Sequence, residues 1–188
     1  PGGKRLEIGL YRGGSHDVVA IPQCRVHHPA INAAVAAVKE EAEDLRIKAY
    51  NDDTGDGELR YLQAAVERFS GKVQLTLVWN DENMRRSTEA QLLVKALKAR
   101  HSDLFHSVWV NCRTGGGNAI FSRNERDWTL AYGPEYVNER VGVGLDLTFP
   151  FSPKMFRQGN FDQFASIVGQ VEHFVPEGAR VTELYAGA

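Results

Sequence analysis

Residues 179–188, Ala-Arg-Val-Thr-Glu-Leu-Tyr-Ala-Gly-Ala, constrain the fold of this chain most. Val181 to Tyr185 read as a buried strand, and Ala186-Gly187-Ala188 as the tight turn that follows it. Small residues at such a turn let backbone approach a ligand closely, as the first strand-to-loop turn of a nucleotide-binding α/β sheet requires. A sheet of that kind needs on the order of a hundred further residues of alternating helix and strand, because parallel strands need crossover connections. The chain also opens at Pro1, without an initiator Met. The expectation is a piece of a larger enzyme, cut inside a cofactor loop.

A length of 188 residues suits one domain and part of another. The net charge of −2 leaves no basic footprint of the kind nucleic-acid binding usually imposes, so composition alone points to a small-molecule or protein partner. No run of about 18 apolar residues occurs, which argues against a membrane span. Two cysteines, Cys24 and Cys112, make no disulfide framework and suit a reducing compartment. The expected location is the cytoplasm, or an organelle if a transit peptide precedes Pro1.

Periodicity supplies the rest of the outline. Leu6 to Arg12 alternates as a strand, Gly13-Gly14-Ser15 turns, and Asp17 to Ile21 returns as a hairpin. His28-Pro29 opens a helix whose apolar stripe is Ile31, Ala34, Val35, Val38, Ala42 and Leu45. Strands are expected at Leu59 to Phe69 and Val73 to Trp79, with a turn at Ser70-Gly71-Lys72. A second helix starts near Ser87 or Thr88 and carries Leu92, Leu93, Ala96 and Leu97 inward. Strand material follows at Val108 to Val110, Ala119 to Phe121, Trp128 to Tyr132 and Tyr136 to Phe151. Asn160 is placed to cap a third helix with Phe161, Phe164, Ala165, Val168 and Val171 on one face. The fold class is α+β: a mostly antiparallel sheet with two or three helices. The first helix and strand of an incomplete Rossmann-like domain come after it. The boundary falls at about residue 150, giving a central domain over 1–150 and the start of a second over 151–188.

Three segments resemble one family, the S-adenosylmethionine-dependent RNA (uracil-5-)-methyltransferases of transfer and ribosomal RNA. Gly9 to Val19, ending at Cys24, looks like the hairpin opening that family's central domain. Ser152-Pro153-Lys154-Met155-Phe156-Arg157-Gln158-Gly159-Asn160 is similar to its Ser-Pro-x-x-Phe-x-Gln-x-Asn signature. Arg180 to Ala188 looks like its first cofactor motif.

The middle segment has a physical rationale beside the resemblance. A glutamine offers donors and an acceptor to a ligand at a domain junction. An aromatic nearby can stack on a base removed from its RNA stack. The plainer alternative is that Phe156 belongs to the core and Gln158 is a surface polar group. The resemblance implies that Gln158 contacts the cofactor, Phe156 lies beside the target base, and Tyr185 and Gly187 line the cofactor site. Glu183 is either a ligand of a cofactor hydroxyl or a buried structural acid.

The family resemblance also implies a reaction. A cysteine adds to C6 of uracil, C5 takes the methyl group of S-adenosylmethionine, and a base removes the C5 proton. That cysteine and base are expected beyond Ala188, so no catalytic residue is assigned in this chain and the fragment alone is expected to be inactive, with no cofactor bound.

Cys24 stands where some members of the family place the fourth cysteine of a [4Fe–4S] cluster. A cluster needs about four thiolates, so this chain cannot assemble one by itself. With His27 and His28 the residue also hints at zinc, but a fourth ligand is missing. A free structural cysteine is the reading these residues favour. Cys112 precedes the run Gly115-Gly116-Gly117, which lacks the Lys-Ser/Thr of a phosphate loop and reads as a turn.

Partners implied for the parent are transfer or ribosomal RNA. A homodimer through an exposed terminal strand is a further expectation for the fragment, since an unpaired apolar strand invites pairing. The rival to the whole reading is a stand-alone α+β module that binds RNA or protein without catalysis.

Overall fold

The computed structural model describes residues 6–117, 119–142 and 146–184. It opens with a hairpin of β1 (Gly9–Tyr11) and β2 (Val18–Ala20), shorter than the alternation predicts. Gly9 is required there, because a Cβ would stand 1.8 Å from the carbonyl oxygen of Val19. The Tyr11 hydroxyl donates to Asp52 at 3.0 Å and so ties the hairpin to the 51–57 loop.

Helix α1 (Pro29–Asp44) starts where Pro in the first turn and His28 as cap direct it. The His28 Nδ1 accepts from the Ala30 N–H at 3.2 Å. Its buried stripe is Ala34, Ala37, Val38 and Ala42, and Glu41 is buried with them. Arg100 and His101 from the end of the next helix meet that carboxylate at 3.0 and 2.9 Å.

Strands β3 (Leu59–Val66), β4 (Val73–Trp79), β5 (Phe105–Cys112) and β6 (Trp128–Tyr132) form one sheet in the order β3-β4-β5-β6. The outer pairs are antiparallel, and β4 with β5 is parallel. The parallel pair exists because α2 (Thr88–Arg100) carries the chain back across the sheet. β4 is buried along its whole length. Val73, Leu75, Leu77 and Trp79 enter the hydrophobic core together with side chains of α1 and α2, while Gln74 and Thr76 point to the opposite face.

Ser87 begins α2 by accepting from the Ala90 N–H at 3.2 Å and also receives the Trp79 Nε1–H at 2.8 Å. The inward stripe is Ala90, Leu93, Val94 and Leu97. Leu92, expected in the core, is 43% exposed. At about 100° per residue the buried stripe is centred on Ala90, Leu93, Val94 and Leu97, and Leu92 falls at its outer edge.

One further expectation is corrected. Residues 119–121 form no strand. The loop is pinned just beyond them, where the Ser122 N–H donates to the Asn111 side chain at 2.9 Å. The stretch 136–151 is a hairpin, β7 (Val137–Gly142) against β8 (Asp146–Phe151).

Asn160 caps α3 (Phe161–Phe174), its side chain accepting from the Gln163 N–H at 3.0 Å. Phe161 is the buried residue of this helix, while Val171 and Phe174 are exposed. The buried terminal strand is not found among the described residues. Val181 and Leu184 are 66% and 77% exposed. A strand is defined by ladder hydrogen bonds to a neighbour, and no described strand lies beside this segment. No helix among the described residues is long and apolar enough to cross a membrane.

Candidate functional site

The sheet face turned away from α1 and α2 is unusually polar for a buried surface. Gln74, Thr76, Ser107 and Asn111 are all buried on β4 and β5, and Trp109 lies among them. The segment 151–157, which carries the first half of the signature, covers this face. Phe151, Ser152, Pro153, Met155 and Arg157 enclose a small recess over Gln63, Ala65, Gln74 and Thr76. Gln63 Oε1, Trp109 Nε1 and Arg157 Nε are buried here without a hydrogen-bond partner.

The segment is fastened at two points. Lys154 pairs with Glu125 just before β6, and its Nζ stands 5.7 Å over the Trp109 ring. Arg157 donates to the Val66 carbonyl at 2.8 Å at the far end of β3 and pairs with Glu139. The strap therefore crosses the sheet from the β5–β6 side to β3.

Glu139 is the hub of the second anchor. It is 1% exposed and receives Arg68 Nε at 2.8 Å and the Arg68 backbone N–H at 3.2 Å. Arg68 also pairs with Asp162 in the first turn of α3 and lies 4.7 Å from the Phe161 ring. Burial pulls the Arg157 guanidinium below its usual range, opposed by the Glu139 carboxylate. One buried acid thus links β7, the β3–β4 turn, the signature and, through Arg68, α3.

Between these anchors and just beyond the second, the signature turns two side chains outward. Phe156 is 81% exposed, and Gln158 is exposed two residues later. Phe156 is therefore not a core residue. A large apolar ring held outward on a fastened strap, with an amide beside it, is suited to stack on a planar group and hydrogen-bond to its edge. Tyr185 and Gly187 lie outside the described residues.

The cysteines do not share this site. Cys112 is buried under the helices, and burial pushes its thiol up to about 12, with Asp81 and Asp127 adding to the effect. Such a thiol stays protonated and is a poor nucleophile. The backbone of Cys24 is clamped by Asn32, which accepts from its N–H at 3.2 Å and donates to its carbonyl at 3.0 Å. Among the described residues no group of three or more His, Cys, Asp or Glu side chains is placed to hold a metal ion. His28, one of the residues grouped with Cys24, serves as a helix cap. The Gly-rich loop after Cys112 is held by Arg60, which donates to the carbonyls of Arg113 at 3.2 Å and Gly115 at 2.8 Å.

Sequence reasoning missed Arg157, Lys154 and Glu139. Arg157 and Lys154 occupy variable positions of the signature pattern, so the pattern gave them no weight. Glu139 could have been found, since it takes an inward place in the alternation Val137-Asn138-Glu139.

No family model matches the chain. An uncharacterized RNA methyltransferase of Protochlamydia amoebophila is 37% identical over 184 residues, which is 96% of this chain and 46% of the relative. Another from Geobacter sulfurreducens is 33% identical over 84% of this chain and 30% of its own length. The chain thus spans less than half the length of these relatives. Among solved structures, the crystal structure of Pyrococcus abyssi tRNA (uracil-54, C5)-methyltransferase in complex with S-adenosyl-L-homocysteine matches with a TM-score of 0.68 at 22% identity. That match covers 88% of this chain and 37% of that one, and it supports the fold. Over the part of their length that it spans, the chain is similar to these RNA methyltransferases.

Proposed function

We propose that this chain is the RNA-facing part of an S-adenosylmethionine-dependent RNA (uracil-5-)-methyltransferase. Residues 1–150 form the central domain, and 151–188 begin the domain that holds the cofactor. The observation that carries the reading is the signature segment itself. Its charged residues fasten it to the sheet, and Phe156 and Gln158 are left outward for ligands. S-adenosylmethionine, when bound, supplies the methyl group.

Phe156 stacks against the extruded uracil, and its exposure fits that role. Gln158, next to the α3 cap, holds polar atoms of the cofactor. Tyr185 and Gly187 line the same site. The thiolate that adds to C6 and the base that removes the C5 proton come from residues outside this chain. Cys112 is unsuited to the first role, because burial keeps its thiol protonated.

The test is to make Gln158→Ala and Phe156→Ala in the full-length protein and measure 5-methyluridine formed in transfer and ribosomal RNA. Each lost contact of about 1–3 kcal/mol predicts a roughly 5- to 150-fold drop in methyl transfer with unchanged folding. Wild-type turnover in both variants would reject the assignment. Methylation at a position other than uridine C5 would reject the substrate.

A further inference from the structure

A second cleft lies away from the signature strap. It is an open cleft of about 600 Å³ between the β3–β4 turn, the start of β5 and the outer face of the β7–β8 hairpin. Its lining combines Phe69, Tyr136, His106, Asn138, Arg140 and Thr148, with Glu67 at the base.

Two of these residues are unexplained by folding. Phe69 sits in the β3–β4 turn and is 83% exposed, and Tyr136 is 41% exposed. Neither ring contributes to the core. The cleft around them is nonetheless built. Arg140 and Thr148 are cross-strand partners and stand side by side on one wall. The Arg140 guanidinium lies 5.5 Å from the centre of the Phe69 ring. Gly133, at φ 82°, packs so closely on β5 that a Cβ would stand 2.2 Å from the His106 carbonyl oxygen. That contact sets the β6–β7 connection beside His106.

The acid at the base is already engaged. Glu67 accepts from the Asn138 N–H at 2.9 Å and from the Ser70 hydroxyl at 2.6 Å, with His106 Nε2 at 3.6 Å. It therefore presents little bare negative charge to the cleft. What faces outward is two aromatic faces, a guanidinium, an amide and a hydroxyl. Flat rings that stack on bases, with a cation near enough to meet phosphate, are the chemistry of single-stranded nucleic-acid grooves.

We infer that this cleft binds a single-stranded segment of the RNA outside the target uridine, with a base stacked on Phe69 or Tyr136 and a phosphate near Arg140. The inference rests on the RNA-methyltransferase reading and adds to it a contact surface separate from Phe156 and Gln158. The arrangement suits it for holding the strand while the target base is presented elsewhere.

The probe is a uridine-rich single-stranded RNA of about 12 nucleotides carrying one 2-aminopurine, whose fluorescence falls on stacking. Titrated with the 188-residue chain, it should be quenched. Phe69→Ala and Tyr136→Ala should each weaken binding by roughly 5- to 150-fold and reduce the quench. Phe69→Tyr should retain both. Because the two rings are exposed, melting curves of the variants should overlay the wild type. If the chain binds the RNA and both alanine variants bind it equally well, the cleft is not the contact and the RNA-facing reading stands. If the folded wild-type chain binds no RNA, both the cleft and the RNA-facing reading of residues 1–150 are overturned. Binding of a proline-rich peptide without RNA would assign the rings to a protein partner and overturn the inference.

Discussion

Arg157 lies against Glu139, a carboxylate 1% exposed in β7, and the pair joins the signature segment to the sheet. Arg68 meets the same carboxylate at 2.8 Å. A buried charge with two partners tolerates the loss of one badly, because the desolvated carboxylate cannot regain water. The strap owes its course to this ionic joint more than to apolar packing, since Phe156 points outward and Met155 is only partly covered.

Replacing Arg157 with Met should therefore destabilise the chain by about 3 kcal/mol, the usual cost of breaking a buried pair. Urea denaturation measures it. Arg157→Lys should recover only part, because an ammonium cannot reach Glu139 and the Val66 carbonyl with the same planar geometry. A wild-type midpoint for Arg157→Met would show that Arg68 suffices.

Ser87 holds two buried donors at once, Trp79 Nε1 at 2.8 Å and the Ala90 N–H at 3.2 Å. Ser87→Ala removes a helix cap and strands the indole N–H. The expected loss is about 2 kcal/mol, a fall of roughly 4–8 °C in Tm for a chain of this size. Differential scanning calorimetry would detect it, and a change below one degree would mean the indole finds another acceptor.

Acid should weaken the fold through Glu67. Burial alone would raise this carboxyl, but the Asn138 N–H, the Ser70 hydroxyl and the nearby His106 and Arg157 hold it below its ordinary 4.5. A depressed folded value means the contribution is complete above the ordinary value and disappears as pH falls through the folded one. Denaturation midpoints should decline as pH drops below about 4.5. Glu67→Gln should flatten that limb of the curve. Parallel acid limbs in the two proteins would contradict this.

Cys112 should resist alkylation. With its thiol pushed up to about 12, about one molecule in ten thousand is thiolate at pH 8, and the side chain is buried. Mass spectrometry after brief iodoacetamide treatment should find Cys112 unmodified in the folded chain and modified in urea. Rapid labelling of Cys112 without denaturant would contradict the packing of β5 under α2.

The first two helices were legible because caps and apolar spacing agree: His28-Pro29 and Ser87 each begin a stripe at helical period. The error at Leu92 came from centring the stripe one residue too early, since Val94 takes the inward place instead. The segment 119–121 has strand composition, but Asn111 captures Ser122 and holds the loop, a contact eleven residues apart that no local pattern encodes. The signature was readable as a motif, and its cap Asn160 took the expected place. How the motif is held was not readable, because Arg157 answers to Glu139 and Val66, far away in sequence. Val181-Thr182-Glu183-Leu184 reads as strand material, yet a strand is a relation between segments.

The three tryptophans are divided between the two sides of the sheet. Trp79 belongs to the helix-side core and is hydrogen-bonded to Ser87, whereas Trp109 and Trp128 meet edge to face at 6.4 Å, with Lys154 above Trp109. Each layer thus carries its own optical probe. A variant keeping Trp79 alone would report melting of the helical layer, and one keeping Trp109 alone would report the strap lifting from the opposite side. Emission from the two would reveal whether RNA draws the strap away while the rest of the molecule stays intact.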